Sequence, residues 1–268
     1  MGYVFADSTD EDQRLRDQSA VLDPLTAQLL VSAELQPGMK VLDLGSGSGN
    51  VTALAADIVG PTGHVVGIDH DPAAVQRAGA LLSERSNVEF RVGEVATLAG
   101  VERDFDAVVG RAVLMHLPDP GAALRTAAGH LRPGGVVCMH EPDMTYLWTS
   151  DSTPLWDQVR AAILQAFEAA GTQVRMGPAL FAAFRAAGLP DPSLTLDAPV
   201  GGGGAAPVYG WANIFGGMAP LMTQLGITAV EAVGTEGLTE RLTAEIDALD
   251  GTVMGPPLYG AWTTVPSE

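Results

Sequence analysis

Val41-Leu42-Asp43-Leu44-Gly45-Ser46-Gly47-Ser48-Gly49-Asn50 decides how this chain is read. A short apolar run with one acidic residue near its end passes straight into a glycine loop. Apolar Val51, Leu54, Ala55 and Ile58 then recur at helical spacing, so the stretch predicts strand, tight turn, helix. Glycine admits positive φ and lets a backbone come close to a ligand, and the first N–H groups of the helix are free to face that ligand. A nucleotide-like molecule lying across the turn is the natural occupant.

The form of the loop separates the candidates. A dinucleotide fold wants G-x-G-x-x-G and a phosphate loop wants G-x-x-x-x-G-K-[ST]. Here Asn50 stands where the third dinucleotide glycine belongs and no lysine follows; the residues read Asp43-x-Gly45-x-Gly47-x-Gly49. This resembles the first motif of class I S-adenosylmethionine (SAM) dependent methyltransferases.

Outward from the loop, the pattern alternates. His64 to Asp69 is a second apolar run ending in a carboxylate, a helix from about Pro72 to Ser83 follows, and Val88–Val92 makes a third strand. Phe105–Val109 is a fourth, a helix capped by Asp119-Pro120 runs to Leu131, and the turn Arg132 to Gly135 leads into a fifth strand, Val136–His140. Strands that are nearly continuous apolar runs, alternating with helices, predict a parallel sheet covered on both faces. Ser193–Ala198 and Leu258–Val265 supply a sixth and a seventh strand. The fold class expected is therefore α/β, Rossmann-like, with a seven-stranded, mostly parallel sheet.

One domain is expected over 1–268: an N-terminal helical lid (1–36), a SAM-binding core (37–142), an inserted cap (143–175), and the rest of the sheet with acceptor-site helices (176–268). Within the lid, Asp23-Pro24 reads as an N-cap with proline at the first helical position, which predicts a helix starting there. In the cap, Leu155, Val159, Ile163 and Phe167 share a helix face that lies over the carboxyl ends of the strands or simply covers core.

Composition excludes some classes of partner. Thirty-two acidic against 14 basic residues give a formal charge of −18, a field that repels phosphate backbones and anionic membranes. The one cysteine, Cys138, sits in an apolar run and reads as core. With no apolar run near 20 residues and no charged-then-apolar leader, a soluble cytoplasmic protein is expected, without nucleic-acid or membrane partners. Its partner is a small-molecule acceptor, and homodimerisation stays open. No His/Cys or carboxylate grouping suggests a metal.

Asp69 ends the strand after the glycine loop, where a carboxylate accepts hydrogen bonds from both ribose hydroxyls of a nucleoside. The same arrangement would serve NAD, so the loop form has to carry the preference for SAM. The resemblance implies further cofactor contacts at Asp43, Gly45, Ser46, Gly47, Gly49, His70, Glu94, Val95, Arg111, His116 and, from the lid, Tyr3 and Gln18. Glu94 stands where these enzymes usually carry an aspartate facing the adenine amine. Gly110 to Pro120 resembles the family's fourth motif, facing the methionine part of SAM and the acceptor, and Leu131 to Val136 its turn before strand five. These matches run from about Tyr3 to Glu141.

Methyl transfer is an in-line displacement, so the first demand is to hold a nucleophile about 3 to 3.5 Å from the methyl carbon. A base that takes the acceptor's proton adds roughly 10²- to 10⁴-fold. The expected catalytic residues are Glu141 first and His140 second, with His116 and, near the acceptor, Tyr3. Trp148, Tyr209, Trp211 and Met218 would line an apolar acceptor pocket, or be core. The acceptor expected is a small, largely apolar metabolite of bacterial secondary metabolism, such as an electron-rich indole ring. Two rivals stay open: a SAM-binding module or a SAM enzyme of a non-methylating reaction, and an NAD-dependent oxidoreductase, disfavoured by Asn50.

Overall fold

A computed structural model describes residues 9–207 and 210–267, with side chains from Gln18 onward. Tyr3 and Tyr209 therefore lie outside the described residues. The chain divides into two compact units. One comprises residues 23–142, 176–197 and 258–268, the other residues 1–22, 143–175 and 198–257.

The first unit is the sheet. After α1 (Thr9–Ser32) come β1 (Lys40–Leu44), α2 (Asn50–Val59), β2 (His64–Asp69), α3 (Pro72–Leu81), β3 (Val88–Val92) and β4 (Phe105–Arg111). A 3-10 turn at Leu114–His116 and α4 (Pro120–Ala128) lead to β5 (Leu131–Pro142). The unit is completed by α6 (Met176–Ala186), β6 (Ser193–Asp197) and β9 (Leu258–Thr264), in the strand order β3-β2-β1-β4-β5-β9-β6. The first five strands are parallel; β9 runs antiparallel to both neighbours. This is the seven-stranded, mostly parallel α/β sheet expected. The order reverses beside β1, which places the ligand crevice at the carboxyl ends of β1 and β4.

Alternation along the strands sorts the core. Val41, Ala107, Val109, Val136 and Cys138 pack against Leu29, Leu30 and Ala33 of α1 and Ala55, Ala56 and Val59 of α2. Asp43, Arg111 and His140 continue these strands in steps of two, so they fall on the same face, at its crevice end. The run Arg132 to Gly135 bulges out of the ladder: Phe105 pairs Leu131, then Ala107 pairs Val136. Asp119 caps α4 as expected, accepting the Ala122 N–H at 2.9 Å.

Asp23-Pro24 does not start a helix. Helix α1 runs through it from Thr9 to Ser32 with Pro24 inside. The Asp23 carboxylate is engaged elsewhere: Arg111 donates to it at 2.8 Å, and that tertiary ion pair takes the side chain a cap would need. The boundary between the two units nonetheless falls at Leu22/Asp23.

The second unit is helical and larger than the expected cap. To residues 143–175, with α5 (Pro154–Ala169), it adds β7 (Val200–Gly201), α7 (Trp211–Gln224), α8 (Ala229–Val233), α9 (Leu238–Asp247) and β8 (Val253–Met254). The apolar stripe Val159, Ile163 and Phe167 of α5 is buried, and α5 packs chiefly on α7 and α8. Trp148 and Trp211 stack with ring centroids 3.6 Å apart. Both are nearly inaccessible, as is Met218, so these three are interior residues. Among the described residues, no helix is long and apolar enough to cross a membrane.

Candidate cofactor and acceptor site

The glycine loop bends over the end of β1 and is clasped to β2. Ser46 N–H donates to the Ile68 carbonyl at 2.9 Å, and Gly47 N–H donates to Asp69 Oδ2 at 2.8 Å. The other Asp69 oxygen accepts the Asp71 N–H at 3.0 Å and lies 3.2 Å from Nδ1 of exposed His70. A carboxylate has about four lone-pair sites, so Asp69 can hold the loop and still accept two hydroxyls.

Two glycines of the loop are needed for different reasons. Gly47 has φ +51°, and among the described residues nothing comes closer than 4.0 Å to where a Cβ would be, so its bare face is open on that side. Gly45, with φ +63°, is crowded instead: a Cβ there would come within 2.6 Å of Val113 Cγ2. Gly45 lets the protein pack on itself, whereas Gly47 leaves room for something else.

Some buried polar atoms at the crevice ends of β1 and β5 lack a partner among the described residues. Asp43 Oδ2 accepts from Thr52 Oγ1 at 2.6 Å, but Oδ1 has no partner among the described residues; Ser46 Oγ and His140 Nε2 have none either. The first two lie at the end of β1 and the third at the end of β5, two strands away; the hydroxyls of Thr153 and Thr195, elsewhere in the chain, lack a partner among the described residues as well. Burial pushes the Asp43 carboxyl up to about 7, against the pull of Thr52 and of the Arg111 charge. A cation placed on Oδ1 would offset that burial.

Glu94 and His116 are exposed beyond the ends of β3 and β4, and Val95 is buried. Apolar surroundings first, and the His70 imidazole second, hold His116 below the usual histidine range. Gln18 is half-buried on the part of α1 that belongs to the helical unit.

Two assignments need correction. Glu141, expected as the base, is wholly inaccessible and spoken for: Oε1 accepts the N–H groups of Val113 and Leu114 at 2.9 and 2.8 Å, and Oε2 that of Met115 at 3.2 Å. It caps the 3-10 turn after β4, with both oxygens buried and engaged by backbone N–H groups. Arg111, expected on the cofactor, donates through one Nη to Asp23 and, at 2.9 Å, to Thr26 Oγ1. Sequence reading missed Thr26 and Thr52, because a threonine inside a helix carries no mark of what its hydroxyl reaches.

Among the described residues no grouping of His, Cys, Asp and Glu could hold a metal. The helical unit has a cleft of about 160 Å³ beside Trp148, Trp156 and Arg160. That is smaller than usual metabolite pockets, which run from about 300 Å³ upward.

The pattern of a family described as a methyltransferase domain matches residues 35–175. An arsenite methyltransferase of Halobacterium salinarum is 36% identical over 121 residues, 44% of this chain and 31% of that protein. A trans-aconitate 2-methyltransferase of Methylobacterium radiotolerans is 36% identical over 133 residues, 50% of this chain and 46% of that protein. The chain thus spans less than half the length of these curated relatives. A solved structure from Bacillus halodurans, described as a candidate methyltransferase, superposes with TM-score 0.58 at 14% identity, covering 90% of this chain and 98% of its own.

Proposed function

The chain belongs to the methyltransferase-domain family, and from that premise we propose that it moves a methyl group from SAM to a small, largely apolar metabolite. The observation that carries the reading is the convergence at the β1 end: Asp43 Oδ1 and Ser46 Oγ unpartnered, Gly47 open, and Asp69 with lone pairs to spare. These residues fit the cofactor. Asp69 would hold the ribose hydroxyls, Asp43 the methionine ammonium, and Glu94 with Val95 the adenine. Bound SAM supplies a methyl group made electrophilic by its sulfonium.

The chain's own task is then to orient an acceptor and keep water away from it. No strong base stands ready at the end of β5. Glu141 is a backbone cap, and His140 is pushed down to about 3 by burial and by Arg111. That favours an acceptor atom that is nucleophilic without prior deprotonation, such as a neutral amine or an electron-rich ring carbon of the indole kind. His116, exposed at the rim, is the remaining imidazole for a proton that leaves after transfer.

The acceptors named for the relatives fit this chain poorly. Trivalent arsenic is soft and wants thiolates; the only cysteine, Cys138, is buried with its thiol pushed up to about 12. A tricarboxylate wants free cations. In residues 143–175 and 198–257 acidic residues outnumber the three arginines, and Arg160 and Arg241 are tied to backbone carbonyls.

The test is mass spectrometry after incubation with methyl-deuterated SAM and a panel of indoles, phenols, amines and carboxylic acids. A labelled amine or ring-carbon product supports the reading. Labelling of the carboxylic acids alone overturns the acceptor class, and heat from NAD but none from SAM in competitive calorimetry overturns the whole of it.

A further inference from the structure

Thr26 of α1 joins the two residues at the crevice ends of β4 and β5. Its Oγ1 receives an Arg111 N–H at 2.9 Å and lies 3.1 Å from Nδ1 of His140. Arg111 and His140 are register partners, and Asp23, one turn earlier on the same helix, completes the set through its ion pair with Arg111. Arg111 is only 10% exposed and His140 1%. The seat for α1 on this face is cut at β9, where the residue paired with His140 is Gly260; a Cβ there would come within 2.5 Å of Leu29 Cδ1.

An arginine set permanently beside a buried imidazole has an electrostatic consequence. Around His140, β4 presents Arg111, α1 presents Thr26 with Asp23 beyond it, and β9 presents glycine. Asp43 lies further along the same face, while Glu141 faces the opposite side of the sheet, on the turn at 113–115. The nearest fixed charge is therefore positive, and it opposes protonation as burial does. A neutral ring is what a site built for a sulfonium cofactor requires, since an imidazolium there would repel it.

We infer that Arg111 is a positioning residue: with Thr26 it fixes the His140 ring and adds its charge to the burial that opposes protonation, leaving the unpartnered Nε2 to orient the methyl acceptor by a hydrogen bond. His140 then acts on the acceptor's placement and not as a general base. This role rests on the methyl-transfer reading, but the state of the ring does not.

The experiment is therefore in two arms on the full chain. In ¹⁵N-histidine NMR, His140 of the native protein stays neutral from pH 8 to pH 4.5 in a single tautomer. Arg111→Met makes it titrate at least one pH unit higher, and Arg111→Lys, which keeps the charge, does not. Thr26→Val breaks the tautomer preference and serves if Arg111→Met fails to fold. An unchanged titration in Arg111→Met, or an unchanged tautomer in Thr26→Val, overturns the proposal whether or not any methyl acceptor is found. In kinetics with a labelled acceptor, His140→Ala raises KM more than tenfold with kcat within threefold, and His140→Gln, which cannot titrate but still hydrogen-bonds, recovers most of it. Loss of kcat in both variants makes His140 a base and overturns the orienting role. SAM calorimetry on the native chain separates this from failure of the methyl-transfer reading, which would show no heat.

Discussion

Asp69 Oδ2 accepts the Gly47 N–H at 2.8 Å, so the carboxylate proposed above to meet a ribose is also the clasp that shapes the glycine loop. On that proposal, loop form and ribose recognition are one unit. A carboxylate accepting a backbone N–H from a loop it does not adjoin in sequence preorganises the crevice before any ligand arrives, which lowers the ordering cost of binding.

Asp69→Ala removes both functions. Hydrogen bonds to a charged group contribute about 1.5 to 3 kcal/mol each, so SAM affinity should fall at least tenfold, with the unfolding midpoint lowered as well because Gly47 N–H loses its partner. Calorimetry and thermal denaturation read the two losses separately. Affinity within twofold of the native protein removes Asp69 from the ribose site.

Gly47→Ala and Gly45→Ala should part company. Both put a side chain at positive φ, a strain of about 1 kcal/mol. At Gly47 the methyl enters open space, so the protein stays folded while SAM binding drops by an order of magnitude. At Gly45 the methyl meets Val113, so stability falls first. If Gly47→Ala binds SAM normally, the cofactor does not cross that face of the loop.

Glu141→Gln distinguishes cap from base. An amide keeps one acceptor oxygen but turns an NH₂ toward a backbone N–H, so one buried donor is left unpaired at about 1 to 3 kcal/mol. The expected result is a lower unfolding midpoint, with the pH dependence of kcat retaining its shape. Burial lifts this carboxyl to about 7 against the three N–H bonds that favour the anion. Its folded pKa is above the ordinary glutamate value of about 4.5, so the folded state binds the proton more tightly. Stability therefore falls as pH rises from about 4.5 to 7, and that slope flattens in the amide variant. An undamaged midpoint with a missing ionisation in kcat would restore Glu141 as the base.

The sheet was legible in the sequence because most of its parallel strands are apolar runs ended by glycine, proline or an acidic residue, a local signal, while β3 alternates apolar with charged residues. The places of Asp43, Gly47 and Asp69 were legible for the same reason: they lie at or just past strand ends. Arg111 and Glu141 were misread because their partners are 88 residues away at Asp23 and 26 to 28 residues away at residues 113–115. A strand-end position says that a side chain is near the crevice, not which way its charge is satisfied. Pro24 shows the converse, where a strong local stop signal is overridden by the ion pair and packing that hold α1 on the sheet. The reach of the helical unit, with 198–257 joined to 143–175, has no local marker at all, since it depends on α5 meeting α7 and α8.

Asp43 gives SAM binding a pH dependence whose sign can be worked out. Its carboxyl sits at about 7 in the folded chain because Oδ1 is buried without a partner. An ammonium group placed on Oδ1 favours the anion, so binding below pH 7 has to expel a proton, and apparent affinity should fall about tenfold for each pH unit below that value and level off above it. Calorimetry at pH 6 in buffers of different ionisation enthalpy should show close to one proton released, and at pH 8 almost none. Asp43→Asn should bind more weakly at pH 8 and lose the slope altogether. A native protein whose SAM affinity is flat from pH 5.5 to 8 would place the ammonium elsewhere and leave the orphaned oxygen to a different cation.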